Sequence, residues 1–160
     1  MGRKDSIREI EQKLTEFLAA DPAIIAGNVD VKVIDRSNFR LAGGEMQILV
    51  TPPAVLVGYL GGSHTSLTAS VTNYRHDARL LVLAVAKNLR GVKAAKQGAA
   101  GKPGVLDLLD DLRAAMAGKD LTLPSGKVRI RLGEVSMEQA EEAQVAYGLE
   151  VAVPACYDNA

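Results

Sequence analysis

GVLDLLDDLRAAMAG, residues 104–118, is the stretch around which the rest of the chain is organised. Three aspartates, Asp107, Asp110 and Asp111, lie in its first turns, where the positive end of a helix dipole favours carboxylates. Gly118 then provides a left-handed end for the helix. The apolar residues recur at helical spacing, so they form one stripe that must be buried: Val105, Leu108, Leu109, Leu112 and Met116. The stretch therefore predicts an amphipathic helix with an acidic, solvated face.

A second amphipathic helix is predicted near the start of the chain. Ser6 and Glu9 have the S-x-x-E spacing of a capping box, in which each polar side chain satisfies a free backbone N–H. Pro22 is expected to end this helix. Its apolar face is formed by Ile7, Ile10, Leu14, Phe17 and Leu18.

Strands are predicted around these helices. Period-two alternation predicts half-buried strands at residues 29–33, 127–132 and 145–153, and apolar runs predict buried strands at 54–60 and 80–89. Residues 46–50 are predicted to form a further short strand, whereas a polar loop is expected at 35–44, a turn at 61–62 and a helical turn at 137–143. Adjacent alternating strands favour a mixed or antiparallel sheet. The prediction is a single α+β domain over residues 1–160, with two main helices flanking the sheet.

The composition restricts the classes of partner. The chain has 19 basic and 19 acidic residues, so a whole-surface attraction to nucleic acid or to an anionic membrane is excluded, although a local patch is not. No run of 18 apolar residues is present, so no membrane span is predicted. The one cysteine, Cys156, cannot form an internal disulfide. We expect the protein to be located in the cytoplasm where it is made.

The segment RGVKAAKQGAAGKP, residues 90–103, has a linker-like composition and is predicted to be a mobile loop that buries little. A phosphate-binding loop would need glycine at position 96 and serine or threonine at 103, where the chain has Lys96 and Pro103. The segment has no acidic residue, and its cations are either solvated or contact nucleic acid phosphates without sequence specificity: Arg90, Lys93, Lys96 and Lys102.

Candidates for catalysis are few. Ser63 and His64 lie in a glycine-rich stretch, but adjacent residues rarely have the geometry of a nucleophile and its base, and the G-x-S-x-G spacing is absent. We therefore interpret this stretch as a polar hairpin turn. Cys156 has no basic neighbour in sequence that would lower its pKa. The three aspartates lack EF-hand spacing and an accompanying histidine or cysteine cluster, so no metal or cofactor is predicted.

Two stretches carry a resemblance to a known family: PAVLVGYLGG, residues 53–62, and GVLDLLDDLRAAMAGKDL, residues 104–121. With the order of the predicted elements around them, they resemble the Mu-like tail terminator family of contractile-tailed phages over nearly the whole chain. The resemblance implies a tail-terminator-like fold and a structural assembly protein that is not an enzyme.

This resemblance further implies a ring, expected to be a homo-hexamer, on the last layer of the tail tube. The ring would stop polymerisation of tube and sheath and would present a surface to head-completion or neck proteins. It implies no cofactor and no membrane, and it implies assembly in the host cytoplasm followed by residence at the head-proximal end of the tail. Six copies of the loop at 90–103 would surround or adjoin the channel and make transient, non-specific contacts with phage DNA.

A ring also needs two different contact surfaces on each subunit. The candidates are the acidic face of Asp107, Asp110 and Asp111 and the basic strand face of Arg129 and Arg131 on the next protomer. Pairing of these charges within one chain, or their solvation, is the alternative.

Three other functions stay open at this point. A head–tail joining or neck protein is the alternative within assembly proteins. A small hydrolase that uses Ser63, His64 or Cys156 is the alternative from another class, and a small nucleic-acid-binding protein is the third.

Overall fold

The elements of the computed structural model follow the predicted order of helix, strands, helix and strands. The structure describes residues 4–42, 44–67, 72–87, 95–96, 104–141 and 144–158. In chain order its elements are α1 (Ile7–Ala19), α2 (Pro22–Ala26), β1 (Asp30–Val33), a 3₁₀ turn (Arg36–Asn38), β2 (Phe39–Ala42), β3 (Glu45–Ile48), β4 (Ala54–Ser66), β5 (Asn73–Lys87), α3 (Val105–Met116), β6 (Asp120–Leu123), β7 (Gly126–Arg129), β8 (Arg131–Glu141) and β9 (Gln144–Asp158).

Five strands form the main sheet in the order β1-β4-β5-β9-β8. Only β1 and β4 pair in parallel, and the other pairs are antiparallel. Two small hairpins, β2–β3 and β6–β7, stand beside this sheet. The predicted α+β class is confirmed: one domain with a mixed, mostly antiparallel sheet and two main helices.

The two predicted helices bury their apolar stripes against one face of the sheet. Every residue of the α3 stripe is buried, with Leu112 and Met116 completely inaccessible to solvent. Gly118 has a φ of +68°, as its left-handed role requires. On α1, Leu14 is fully buried and Ile7 is 45% exposed, so the stripe is narrower than predicted. Burial of each large aliphatic side chain stabilises the fold by about 1.5–3 kcal/mol.

The opposite face of the sheet has a smaller core. Leu56, Leu83 and Val85 are buried there, with Phe39 and Ile48 of the β2–β3 hairpin packed against them. The sheet is therefore covered on both faces at this end. That explains why the sequence of β5 is a continuous apolar run rather than an alternating one.

Three local predictions were wrong because pairing with the next strand along the chain overrides local composition. The pair Gly61-Gly62 does not end β4, which passes through a bulge between Tyr59 and Gly61 and continues to Ser66. The stretch 137–143 is not a helical turn up to Glu141, because β8 pairs there with β9. The predicted loop at 35–44 contains the 3₁₀ turn and β2, which pairs with β3.

Two other boundaries also differ from the prediction. Pro22 does not only end α1: it is the first residue of α2, a position where its missing N–H is harmless. The predicted strand at 127–132 is divided at Ile130 into β7 and β8, which belong to different sheets.

Most of the predicted mobile loop at 90–103 lies outside the described residues. Of its length the structure describes Ala95 and Lys96. Ala95 is buried in the main core, so the expectation that this segment buries little is wrong at that position. The Lys96 ammonium lies 5.9 Å from the centre of the Tyr147 ring, a cation–π distance.

A buried carboxylate, which the sequence analysis missed, ties three distant segments together. Asp5 is 3% exposed and accepts hydrogen bonds from the backbone N–H of Ser125 at 3.0 Å and of Cys156 at 2.8 Å. It also accepts one from the Ser125 hydroxyl. The start of the chain is thereby fixed to the β6–β7 turn and to β9.

We expect Asp5→Ala to lower the free energy of unfolding by about 1–3 kcal/mol, because it leaves buried donors without an acceptor. Asp30→Ala is the control, since it removes only an exposed ion pair with Lys32 and should cost less than about 1 kcal/mol. Urea denaturation of both variants measures the difference. Equal losses in the two variants would contradict the role assigned to Asp5.

Candidate functional site

A cluster of imidazole and tyrosine rings lies at the far end of the β4–β5 hairpin. His64 and His76 are directly opposite each other in the strand register. Their rings stack with centres 4.4 Å apart and an angle of 8° between their planes. His76 is 3% exposed, and its Nε2 lies 2.8 Å from the Tyr59 hydroxyl. The predicted turn at His64 is therefore a paired strand instead.

Glycine is required at position 62 by this cluster. A Cβ atom at Gly62 would lie 2.8 Å from Nε2 of His76 and 2.5 Å from the carbonyl oxygen of Asp77, both closer than real Cβ contacts. The absent side chain thus makes room for the buried imidazole. Burial lowers the pKa of His76, and the adjacent His64 lowers it further, while Asp77 acts in the opposite direction.

The serine and histidine of the hydrolase hypothesis are not brought together. Ser63 and His64 are consecutive residues of β4, so their side chains point to opposite faces of the sheet. Cys156 pairs with Arg75 and Ala155 with His76, so the thiol lies on the face opposite the imidazoles. Neither Ser63 nor Cys156 has a histidine base on its own side of the sheet.

The residues that the structure describes offer neither a metal-binding cluster nor a membrane-spanning helix. That part of the chain contains no group of three or more His, Cys, Asp or Glu side chains able to hold a metal ion. Within the same ranges, no helix has the length and apolar character needed to cross a bilayer.

A concave surface lies on the sheet face away from α1 and α3, and three arginines line it. We call it the arginine groove. It has a volume of about 390 Å³ and is lined by Gly62, Ser63, Arg75, Asp77, Arg79, Arg131, Ala152 and Pro154. Arg75 pairs with Asp77 at 3.1 Å, and Arg79 pairs with Glu150 at 3.3 Å.

The predicted basic strand face is divided between two places. Arg129 lies on β7, where its Nε donates to Asp120 at 2.6 Å. Arg131 lies on β8 and lines the arginine groove. The two arginines therefore do not form one surface, because the chain leaves the β6–β7 hairpin at Ile130 and enters the main sheet.

The predicted acidic face of α3 is exposed, and part of its charge is used within the helix. Asp107 accepts the backbone N–H of Gly104 at 2.9 Å and so caps the helix. Asp110 pairs with Arg113 at 3.2 Å. The pKa of Asp111 is raised by burial and by its acidic neighbours, Asp107, Asp21 and Asp110.

An apolar groove of about 510 Å³ lies between α3 and β8, and we call it the α3–β8 groove. It is lined by Leu106, Leu109, Asp110, Arg113, Leu132, Gly133, Val135 and Leu149. Leu132 and Val135 on its outer wall are 38% and 48% exposed, and Met137 further along β8 is 58% exposed. Neighbouring exposed apolar side chains on an edge strand are typical of an interaction surface.

A family model described as "Bacteriophage Mu, Gp37" matches residues 30–151. The chain belongs to the bacteriophage Mu Gp37 family. The match begins at the first residue of β1 and ends within β9, so it includes α3 and reaches all five strands of the main sheet. A comparison with curated proteins finds no match. The resemblance to a Mu-like phage family is thus confirmed, and membership favours a phage structural or assembly protein.

Both surfaces of this Mu Gp37 family protein were missed by sequence reasoning, although two of the strands that carry them left a signal. Alternation continues from Leu80 back through Ala78 and His76, which indicates that β5 begins before the strand predicted at 80–89. The arginine groove combines residues of β4, β5, β8 and β9, so no local pattern contains it. On β8, the apolar alternation of Val135 and Met137 was the signal for a strand.

We expect acidification to destabilise the protein partly through His76. Its pKa in the folded state lies below the value of 6.5 of the unfolded chain, so the unfolded chain takes up the proton first. This contribution to the unfolding free energy is therefore complete above pH 6.5 and is lost as the pH falls through the folded-state pKa. Urea denaturation across this range should show a smaller loss for His76→Gln than for the wild type, and parallel curves would contradict the assignment.

Proposed function

We propose that this Mu Gp37 family protein is a tail terminator. As a hexameric ring it would cap the tail tube and sheath, stop their polymerisation and provide the surface for joining the head. It would act without catalysis, first in the host cytoplasm and then at the head-proximal end of the tail. Its proposed partners are further copies of itself, the tube and sheath proteins and the head-completion or neck proteins.

The family match over residues 30–151 carries this proposal. Most of PAVLVGYLGG and the whole of GVLDLLDDLRAAMAGKDL, on which the resemblance to tail terminators rests, lie in strand β4 and around helix α3, and both are inside the match. The exposed apolar side chains of the α3–β8 groove support an assembly role, since such a patch favours contact with another protein. The separation of Ser63 from His64 argues against the hydrolase alternative.

Tail length in particles that lack this gene is the test. Electron microscopy of such lysates should show tubes that are longer than normal and variable in length, because nothing stops their growth. Complementation with the wild-type gene is the control and should restore one length. Tails of normal length without heads would contradict termination and assign the protein to head–tail joining, and normal infectious particles would contradict both.

We also propose that the basic segment at 90–103 lies around or near the channel and contacts DNA phosphates without sequence specificity. Of its cations Arg90, Lys93, Lys96 and Lys102, the structure describes Lys96, which is held beside Tyr147. The segment contains no acidic residue, so six copies would surround the channel with positive charge.

Replacing Lys93, Lys96 and Lys102 by Ala should reduce DNA passage or head joining while tail length stays normal. Lys13, Lys87 and Lys127, all exposed and outside this segment, provide a matched triple substitution that should leave infectivity unchanged. Infectivity and tail length are measured in the same lysates. Full infectivity of the segment variant would overturn this part of the proposal.

A further inference from the structure

We propose that copies of this chain associate head to tail, the arginine groove of one copy contacting the acidic face of α3, beside the α3–β8 groove, on the next. This deepens the proposed function, because it names the two surfaces that a ring would use and the partner that each one contacts. The bound partner is a second copy of the same chain.

The strand register builds the arginine groove. Arg79 on β5 and Arg131 on β8 are both paired with Ala152 of the intervening strand β9, and all three face the same side. Two strand spacings place the Cα atoms of the two arginines about 10 Å apart. Ala152 and the nearby Pro154 have short side chains, so the longer arginine side chains project beyond them and form the walls of the groove.

The groove has guanidinium groups that can bind a carboxylate. Arg75 and Arg79 each pair with one carboxylate of their own chain. The ion pairs found among the described residues do not include Arg131, which is exposed. A guanidinium presents a planar fork of donors that matches a carboxylate, so Arg131 is the anchor of this surface.

The exposed face of α3 and the adjoining α3–β8 groove form the surface that would contact the arginine groove. The lining of the α3–β8 groove is mainly apolar, and its two charged residues, Asp110 and Arg113, pair with each other at the edge next to the exposed face of α3. The exposed face of α3 carries three carboxylates, those of Asp107, Asp110 and Asp111, against the one guanidinium of Arg113. Apolar contact supplies affinity, and the opposite charges of the α3 face and the arginine groove select the orientation.

The two surfaces lie back to back across β8. Arg131 and Leu132 are consecutive residues of this strand, so one lines the arginine groove and the other the α3–β8 groove on the opposite face. A contact between two such different surfaces is heterologous and leaves one of each free at the ends. It therefore propagates from copy to copy, and a suitable rotation between successive copies closes the chain of copies into a ring.

Charge reversal tests this contact in the full chain. Sedimentation velocity should show that the wild type forms oligomers that weaken at high salt. Asp110→Arg and Arg131→Asp should each lower the association constant at least about tenfold, because each places like charges opposite one another. Circular dichroism verifies that both variants are folded.

An equimolar mixture of the two variants should recover the wild-type oligomer. In an alternating ring every contact is again complementary, since Arg at 110 faces Asp at 131 in one contact and Asp110 faces Arg131 in the next. Alternation needs an even number of subunits, which a hexamer has. Arg8→Asp and Asp30→Arg, exposed reversals outside both grooves, are the matched controls and should assemble like the wild type.

A monomeric wild type, unchanged assembly of either variant, or no recovery in the mixture would overturn this inference. Loss of retention on duplex DNA by Arg131→Asp, with assembly unchanged, would overturn it in favour of a nucleic acid contact. The proposed function can fail independently of this contact. If oligomers form in solution and respond to the charge reversals, but phage that lack the gene keep tails of normal length, the contact is supported and termination is contradicted.

Discussion

The antiparallel pairing of β5 with β9 is the constraint on which the rest of the structure depends. The two strands are in register over 15 residues, from Asn73 opposite Asp158 to Lys87 opposite Gln144. They are the third and fourth of the five strands and lie near the centre of the sheet. Both long helices pack against this sheet. Slipping this register by one residue would turn the apolar side chains of one strand, Val82 or Leu149 among them, away from the helices. The aliphatic alternation of both strands fixes one register.

That register also determines the chemistry of the outer face. With Ala152 opposite both Arg79 and Arg131, two long cationic side chains flank one short side chain. The same alternation that buries Val151 and Val153 under the helices places the arginine groove on the other side. Packing and charge are thus two consequences of one pairing. A substitution that shifts β9 would disturb the core and the proposed contact surface together.

The sequence predicted the parts of the fold that depend on neighbours along the chain. The stripe from Val105 to Met116 identified α3, and the run at 54–60 identified the buried half of β4, because each signal repeats within one element. The outer half of β4 and the strand at 137–141 were missed because pairing with the adjacent strand of a hairpin overrides their polar composition. The hydrogen bonds of Asp5 were missed because its partners lie far away in sequence. Asp5 and Cys156 are 151 residues apart, and neither residue has a local pattern that indicates the other.

The position of β9 in the sequence has a consequence for the timing of assembly. It follows every other strand of the sheet, yet it lies between β5 and β8. During synthesis, one edge of β5 therefore stays unpaired, and β8 has no neighbouring strand in the sheet, until β9 has been made. The row of Arg79, Ala152 and Arg131 does not exist before that moment. An unfinished chain thus lacks the arginine groove, one of the two surfaces that we propose for contact between copies.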